Sequence, residues 1–367
     1  MKWRAGLGAF ALAVTPGWNV ANVGAVADQS SHAYGVGLAV IGLFTTGLFV
    51  SHAALQVPAG RLCDRLGARL VGGCGLAIVA AASGAALLWR DPWYAIALRT
   101  VAGVGTAGAF VSGSDYIRTA VGSAFAQGMY GAVSMAGGGV ALAVVPLWGT
   151  WQAPFATASL IAAVGVLAVV QAPRGPKREP GEQKRAQIRD RRLTPLAIMH
   201  SASFGLSVVL GNWVVTLLHR AGGSSEHAAG LAGGLILAVG VFSRPLGGRL
   251  ARNAAILRGS FLVGAAGVAV LSIAKPFPLA VLACAVIGLS SGIPFAAAFA
   301  GAARVRPDAP AAAVGFVNMT AAVTILVGTP LVGLTFSLPG NGRVGFLVVA
   351  GLCASAALAV RSRRTPA

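Results

Sequence analysis

Long apolar runs alternate with short polar segments along the whole chain of 367 residues. Many of these runs come near the roughly 20 residues that an α-helix needs to cross a bilayer. The runs do not alternate strictly between apolar and polar residues, so they predict helices and not strands. One helix on each run gives twelve spans, at 5–25, 33–58, 69–89, 93–117, 123–147, 152–171, 195–218, 227–248, 256–274, 277–302, 311–336 and 344–361. We therefore expect an all-α polytopic membrane protein with twelve transmembrane helices.

A single long hydrophilic stretch lies between the sixth and seventh predicted spans. Residues 173–193 read PRGPKREPGEQKRAQIRDRRL and show no apolar periodicity. A segment rich in Pro, Lys and Arg is typical of a solvated linker. We expect an N-terminal six-helix bundle at 1–172, a basic cytoplasmic linker at 173–194 and a C-terminal six-helix bundle at 195–367.

The composition supports a membrane protein, since 56% of the residues are hydrophobic and 10% are charged. Soluble domains are about 25% charged. A net charge of +19 would suggest a nucleic-acid partner in a soluble protein, but the basic residues lie between apolar runs. We interpret them as topology signals and expect no nucleic-acid binding.

The lysines and arginines also predict the orientation. With both termini inside, few basic residues fall in the outer loops, namely Arg90, Arg220, Lys275 and Arg343. Most of the others fall on the inner side, as the positive-inside rule requires. This pattern predicts a multi-pass protein of the cytoplasmic membrane with both termini in the cytoplasm.

The four cysteines show no CxxC spacing and no histidine cluster accompanies them, so we expect no metal site and no cofactor. No nucleophile–base spacing indicates an enzyme.

The two halves of the chain resemble each other. PAGRLCDR (58–65) follows span two, and PLGGRLAR (245–252) closes span eight. An internal repeat on this scale indicates a duplicated bundle with its working site between the halves.

Two further motifs carry a family resemblance. GRLCDRLGAR (60–69) has the order G-x-L-x-D-R-x-G, and RTVAGVGTAG (99–108) in span four has the order R-x-x-x-G-x-G. The matching residues are Gly60, Leu62, Asp64, Arg65 and Gly67 in the first motif, and Arg99, Gly103 and Gly105 in the second. Together, at these spans, they resemble the major facilitator superfamily of secondary transporters, and the likeness covers essentially the whole chain. The first motif departs from the pattern at Ala68, where a basic residue is usual.

The resemblance implies two six-helix bundles that rock around a central cavity and carry a small solute across the membrane by alternating access. It implies a monomer in the lipid bilayer, and it leaves open whether protons are coupled to transport.

The charged motif after span two has a topological and a mechanical interpretation. Gly60 and Gly67 would permit a tight turn and close contact between spans two and three. The resemblance implies that Asp64 latches the inner ends of the two bundles, near the start of span eleven. The alternative is a local ion pair of Asp64 with Arg61 or Arg65.

Asp115 is expected at the inner end of span four, within reach of Arg65 or Arg69. We expect a structural ion pair there and regard a proton-carrying role as the weaker alternative.

Two arginines lie inside predicted spans. Arg99 is about six residues into span four, roughly 9 Å from the outer surface at 1.5 Å per residue. An intramembrane arginine is costly, so a cavity or partner is expected, with snorkelling to the interface as the alternative. Arg244 lies one turn from the inner end of span eight, where snorkelling and solute contact are equally open.

Several uncharged polar side chains complete the candidate solute and coupling site, each with interhelical packing as its alternative role. They are Asn19 and Asn22 in span one, Gln56 in span two, His200 and Asn212 in span seven, and Asn318 in span eleven.

Spans one, five, seven, eight, ten and eleven hold no carboxylate in mid-membrane. Two arginines without a buried acid suit an anionic or neutral solute better than a cation. A drug or metabolite efflux antiporter is the alternative transporter. A non-transporting receptor or scaffold with the same fold is the alternative of another class, and the intact motifs argue against it.

Overall fold

The computed structural model describes residues 2–120, 124–173, 190–250, 253–273, 276–306 and 310–360. At some helical positions, Asp64 among them, only the backbone is described. Most of the predicted linker lies outside these residues.

Fifteen α-helices form the described part of the chain, which contains no strand. They are α1 (Lys2–Ala21), α2 (Ala27–Tyr34), α3 (Leu38–Leu66), α4 (Ala68–Ala85), α5 (Pro92–Ala120), α6 (Ala124–Val144), α7 (Ala153–Gln171), α8 (Leu193–His200), α9 (Leu206–Arg220), α10 (Glu226–Ala238), α11 (Gly240–Leu250), α12 (Ala254–Ile273), α13 (Phe277–Val305), α14 (Pro310–Leu334) and α15 (Arg343–Ala356).

Every predicted span coincides with one of these helices or with two consecutive ones. Span seven consists of α8, a π-helix at Ser201–Gly205 and α9, and span eight consists of α10 and α11. Within the described residues, ten helical segments are long and apolar enough to cross a membrane, and Arg343–Ala359 is a shorter apolar helix. The short helix α2 falls where no span was predicted.

The helices form the two expected bundles, and the six-helix count of each bundle refers to its membrane spans. In the first, α5 packs on α3 and α4, and α1 packs on α6 and α7. In the second, α13 packs on α11 and α12, and α12 packs on α15. The prediction of an all-α polytopic fold with two six-helix bundles is therefore confirmed. We call the end of the bundles with Gly67 and Val360 the inner end, and the end with Tyr34 and Arg220 the outer end.

The most extensive contacts between the bundles are made by two helix pairs, α3 with α14 and α6 with α10. The second pair depends on glycine, because a Cβ atom at Gly230 would lie 2.3 Å from the carbonyl oxygen of Leu142, and one at Gly139 would lie 2.6 Å from that of Gly234. Small residues allow helix backbones to approach closely in a membrane. The bundles therefore touch backbone to backbone along this seam.

The charged motif after span two is mostly helical, which corrects our placement of Gly60 in a turn. Helix α3 continues to Leu66, and the turn is made at Gly67, which has φ +87° and donates its N–H to the carbonyl oxygen of Cys63 at 2.8 Å. A Cβ atom at Gly60 would lie 3.8 Å from Val111 of α5, so this glycine faces α5 and not span three. Arg65 lies in the last turn of α3, where a basic residue interacts favourably with the helix macrodipole.

Candidate functional site

Arg99 of α5 is buried in the N-terminal bundle, with 2% of its surface exposed. Its Nη1 donates to the side-chain oxygens of Asn19 at 2.9 Å and Asn22 at 3.4 Å. Its Nη2 donates to the Asn19 carbonyl oxygen at 2.6 Å, and its Nε donates to the Phe44 carbonyl oxygen at 3.3 Å. All these acceptors are neutral, and no carboxylate pairs with Arg99 among the described residues. The side chain does not snorkel.

Asn19 and Asn22 are themselves held inside the N-terminal bundle. The Asn19 amide donates to the carbonyl oxygen of Thr15 at 3.0 Å, and the Asn22 amide donates to that of Pro154 at 2.8 Å. Asn22 directly follows α1 and lies about one turn beyond Asn19, so the oxygens of both side chains point at the same guanidinium. In this structure they position Arg99.

Arg244 of α11 is buried in the C-terminal bundle and is 4% exposed. Its Nη1 donates to the carbonyl oxygen of Gly131 on α6 at 2.7 Å, which joins the two bundles. Its guanidinium carbon lies 4.0 Å from the centroid of the Phe295 ring. The snorkelling alternative for Arg244 is therefore wrong, because the side chain turns towards the facing bundle.

Three of the predicted polar residues form one chain of hydrogen bonds. The His200 Nε2 lies 3.3 Å from the Asn318 side-chain oxygen, and the Asn318 amide donates to the Gln56 side-chain oxygen at 3.1 Å. The chain links α8 and α14 of the C-terminal bundle to α3 of the N-terminal bundle. The His200 Nδ1 and Gln56 Nε2 atoms are buried and have no hydrogen-bond partner among the described residues.

Three phenylalanine rings surround the His200 imidazole, and we call these four residues the aromatic box. The ring centroid of His200 lies 5.4 Å from that of Phe204, 4.9 Å from that of Phe295 and 4.5 Å from that of Phe299. Sequence reasoning missed the three phenylalanines. The i, i+4 spacing of Phe295 and Phe299 indicates a shared helix face, but not what that face meets.

Asn212 lies in a contact between the bundles nearer the outer end. Its side-chain oxygen accepts from the hydroxyl of Thr45 on α3 at 2.8 Å, and its amide donates to the carbonyl oxygen of Val20 on α1 at 3.0 Å. Close by, Thr46 donates to the carbonyl oxygen of Leu326 at 2.8 Å. That carbonyl lacks its helical partner because Pro330 has no N–H.

A cluster of charges at the outer end also joins the bundles. Arg220 pairs with Asp28 of α2 at 2.5 Å, and the Gln29 amide donates to the Glu226 carboxylate. Ligand atoms of Asp28, His219 and Glu226 lie within 4.8 Å of one another, as in a metal site. Because the Asp28 carboxylate is already paired with Arg220, we interpret the cluster as an ionic contact between the bundles and not as a metal site. It was missed because α2 was not predicted.

The predicted inner latch stays a prediction. The Asp64 side chain lies outside the described residues, and Arg65 is exposed. Arg69 donates to the carbonyl oxygen of Val170, and Asp115 is partly buried at the inner end of α5.

A crevice of about 390 Å³ opens at the inner end of the C-terminal bundle, and none of the predicted site residues lines it. Its walls come from α8, α12 and α13, with Met199, Leu257 and Ala297 among them.

Comparison with known proteins agrees with the fold described above. A family model described as Major Facilitator Superfamily matches residues 7–322. The chain belongs to the major facilitator superfamily. Two solved structures of the superfamily fold are similar to it. The nucleoside transporter NupG has a TM-score of 0.77, with 17% identity over 98% of both chains.

The second similar structure is a bacterial homolog of the human lysosomal transporter Spinster, described as inward-facing and occupied. It has a TM-score of 0.72, with 14% identity over 95% of both chains. At these identities the likeness shows the fold alone. A search of curated proteins found no match. Membership of the superfamily makes this chain a multi-pass membrane transporter, as its motifs predict.

Proposed function

We propose that this chain is a secondary transporter that moves a small anionic or neutral solute across the cytoplasmic membrane by alternating access. One observation carries the proposal. Each bundle buries one arginine, Arg99 at 2% exposure and Arg244 at 4% exposure, and neither has a carboxylate partner among the described residues. Burying an uncompensated charge is costly, so such residues in a membrane protein mark solute or ion pathways.

The two arginines have different parts in this proposal. Four of the five N–H groups of the Arg99 guanidinium already have acceptors, on α1, on Asn22 directly after it and on α3. Arg99 therefore supplies positive potential from a fixed position. The Arg244 Nε is buried without a partner among the described residues, so Arg244 can bind a solute acceptor directly.

Closure at the outer end supports alternating access. The Asp28–Arg220 pair, the Thr45–Asn212 bond and the Thr46–Leu326 bond all join the bundles there. A carrier must break such contacts each time it opens outwards. The Spinster homolog, described as inward-facing, has a similar fold.

The remaining parts of the proposal follow the sequence. We place the bundle boundaries at 1–172 and 195–367 with a cytoplasmic linker between them, both termini in the cytoplasm, and one chain as the working unit.

Asp64 is the proposed inner latch. The variant Asp64→Asn should slow turnover more than it weakens solute binding, and an unchanged turnover number would remove the latch from the mechanism.

Uptake into proteoliposomes tests the function. The panel holds organic anions, neutral solutes including a nucleoside, and organic cations, each measured with and without a pH gradient. We expect uptake of at least one anionic or neutral solute and none of the cations. If a folded protein moves no solute under any gradient, the receptor or scaffold alternative replaces the transporter. Cation uptake alone would support the efflux antiporter.

A further inference from the structure

We propose that the aromatic box, together with Arg244 and Gln56, is the recognition site for an aromatic carboxylate. This inference rests on the proposed transport function and adds the chemical class of the solute.

The unpaired polar atoms of this region predict which hydrogen-bonding groups the solute must have. The Arg244 Nε and the Gln56 Nε2 are donors, whereas the Nδ1 of a neutral His200 is an acceptor, because its Nε2 donates to the Asn318 side-chain oxygen. All three atoms are buried and have no hydrogen-bond partner among the described residues. His200 is 0% exposed and Arg244 is 4% exposed. Buried donors are normally satisfied, so a ligand rich in acceptor oxygens is indicated.

The charge of the site selects an anion. Arg244 contacts a ring and a backbone carbonyl, and no carboxylate pairs with it in the described part of the chain. A carboxylate matches the planar fork of a guanidinium and would compensate the buried charge.

The rings of the aromatic box favour a solute with a planar π-system. The His200 imidazole lies almost parallel to the Phe204 ring, at an interplanar angle of 25°. The Phe295 ring contacts both the Arg244 guanidinium and the His200 imidazole. Aromatic rings prefer offset-stacked or edge-to-face neighbours, which a planar solute can provide and an aliphatic one cannot.

The position of the site fits a transported solute, because both bundles contribute to it. The N-terminal bundle supplies Gln56 and the Gly131 carbonyl, and a Cβ atom at Gly131 would lie 3.9 Å from the Phe295 ring. The π-helix Ser201–Gly205 begins directly after His200. Single π-helical turns inside α-helices often occur at functional sites.

Binding of three matched probes to the purified full chain in detergent tests the inference. Benzoate has the ring and the charge, cyclohexanecarboxylate has the charge without the π-face, and benzamide has the ring without the charge. We expect benzoate to bind at least about tenfold more tightly than either of the others. Equal affinity for cyclohexanecarboxylate would overturn the aromatic part of the proposal, and equal affinity for benzamide would overturn the anionic part.

Two pairs of variants locate the site. Phe295→Leu should weaken benzoate binding about tenfold, whereas Phe261→Leu, a buried ring on α12, should leave it unchanged. Arg244→Lys keeps the charge but loses the fork and should also weaken binding, whereas Arg258→Lys at the inner end should not. If Phe295→Leu does not fold, Phe299→Leu replaces it. Equal effects of site and control variants would overturn the assignment.

Transport separates this inference from the proposed function. Uptake of another anion or of a neutral solute without benzoate binding would overturn the recognition site and leave the transporter intact. The absence of any uptake by a folded protein would overturn both.

Discussion

Arg99 lies in the interior of a helical bundle, where neutral oxygens accept hydrogen bonds from four of its N–H groups. The sequence placed Arg99 inside span four and named Asn19 and Asn22 of span one as candidate polar residues. It could not predict that these three side chains meet, since the contact depends on how α1 and α5 pack. A spacing of three residues indicates a common face and says nothing of the residue opposite.

The variant Arg99→Lys should reduce the transport rate at least about tenfold and lower the melting temperature. A lysine ammonium has three donors on one atom and cannot reach acceptors on α1 and α3 together. Each hydrogen bond lost to a charged group costs about 1.5–3 kcal/mol. Uptake in proteoliposomes and thermal melting in detergent measure the two effects.

Arg90→Lys, at an exposed position, is the matched control for this variant and should behave as wild type. Full transport activity in Arg99→Lys would contradict the role of the guanidinium fork.

At the scale of single elements, apolar periodicity predicted the long helices well and the short polar ones poorly. Helix α2 reads ADQSSHAY and lacks an apolar stripe. It is held by the pair of Asp28 with Arg220, a contact between residues far apart in the chain. The π-helix after His200 also has no sequence signal, because its extra residue is accommodated by packing.

The turn at Gly67 gives a prediction for the charged motif. Its φ of +87° and ψ of 147° lie in a region that residues with a Cβ atom avoid. Gly67→Ala should therefore lower the free energy of unfolding by about 1–3 kcal/mol. Chemical denaturation in detergent measures the loss.

Gly259→Ala is the control for the turn, because a Cβ atom at Gly259 meets nothing within 4 Å. This change should be neutral or slightly stabilising in a helix. Equal effects of the two substitutions would show that the conformation of Gly67 does not matter.

The outer charge cluster gives a second prediction at this scale. Breaking the Asp28–Arg220 pair should favour opening at the outer end. A partly exposed pair contributes up to about 1 kcal/mol, which corresponds to a several-fold change in the open population. Asp28→Asn and Arg220→Gln should each increase the labelling of a cysteine introduced at Thr45 by an impermeant maleimide, and the double variant should add no more.

Arg343→Gln is the control for the pair, because Arg343 at the outer end donates to the carbonyl oxygen of Ala221 at 3.1 Å. Unchanged labelling in the Asp28 and Arg220 variants would show that this ion pair does not hold the outer end closed.

At the scale of the whole molecule, hydrophobicity, the basic linker and the repeated motifs were enough to predict an all-α fold of membrane spans in two six-helix bundles. The seam between the bundles could not be predicted, because it depends on which glycines meet. A Cβ atom at Gly230 or Gly139 would strike a backbone oxygen of the other bundle, whereas one at Gly259 would meet nothing. Glycine content alone does not distinguish these positions.

The candidate solute site also combines residues that the sequence could identify with residues that only the packing of the helices reveals. Arg244, His200 and Gln56 stand out as polar residues within apolar runs, so the sequence could name them. The phenylalanines around His200 look like any other core residues until the helices are packed.

The central claim is that this chain carries solute by alternating access, and trans-stimulation tests it most directly. Proteoliposomes preloaded with an unlabelled solute that the panel identifies are compared with empty ones for uptake of the same labelled solute. A carrier that returns faster when loaded should take up the label several-fold faster into the preloaded vesicles. The same rate of label uptake in preloaded and empty vesicles, or a lower rate in the preloaded ones, would contradict an alternating-access carrier.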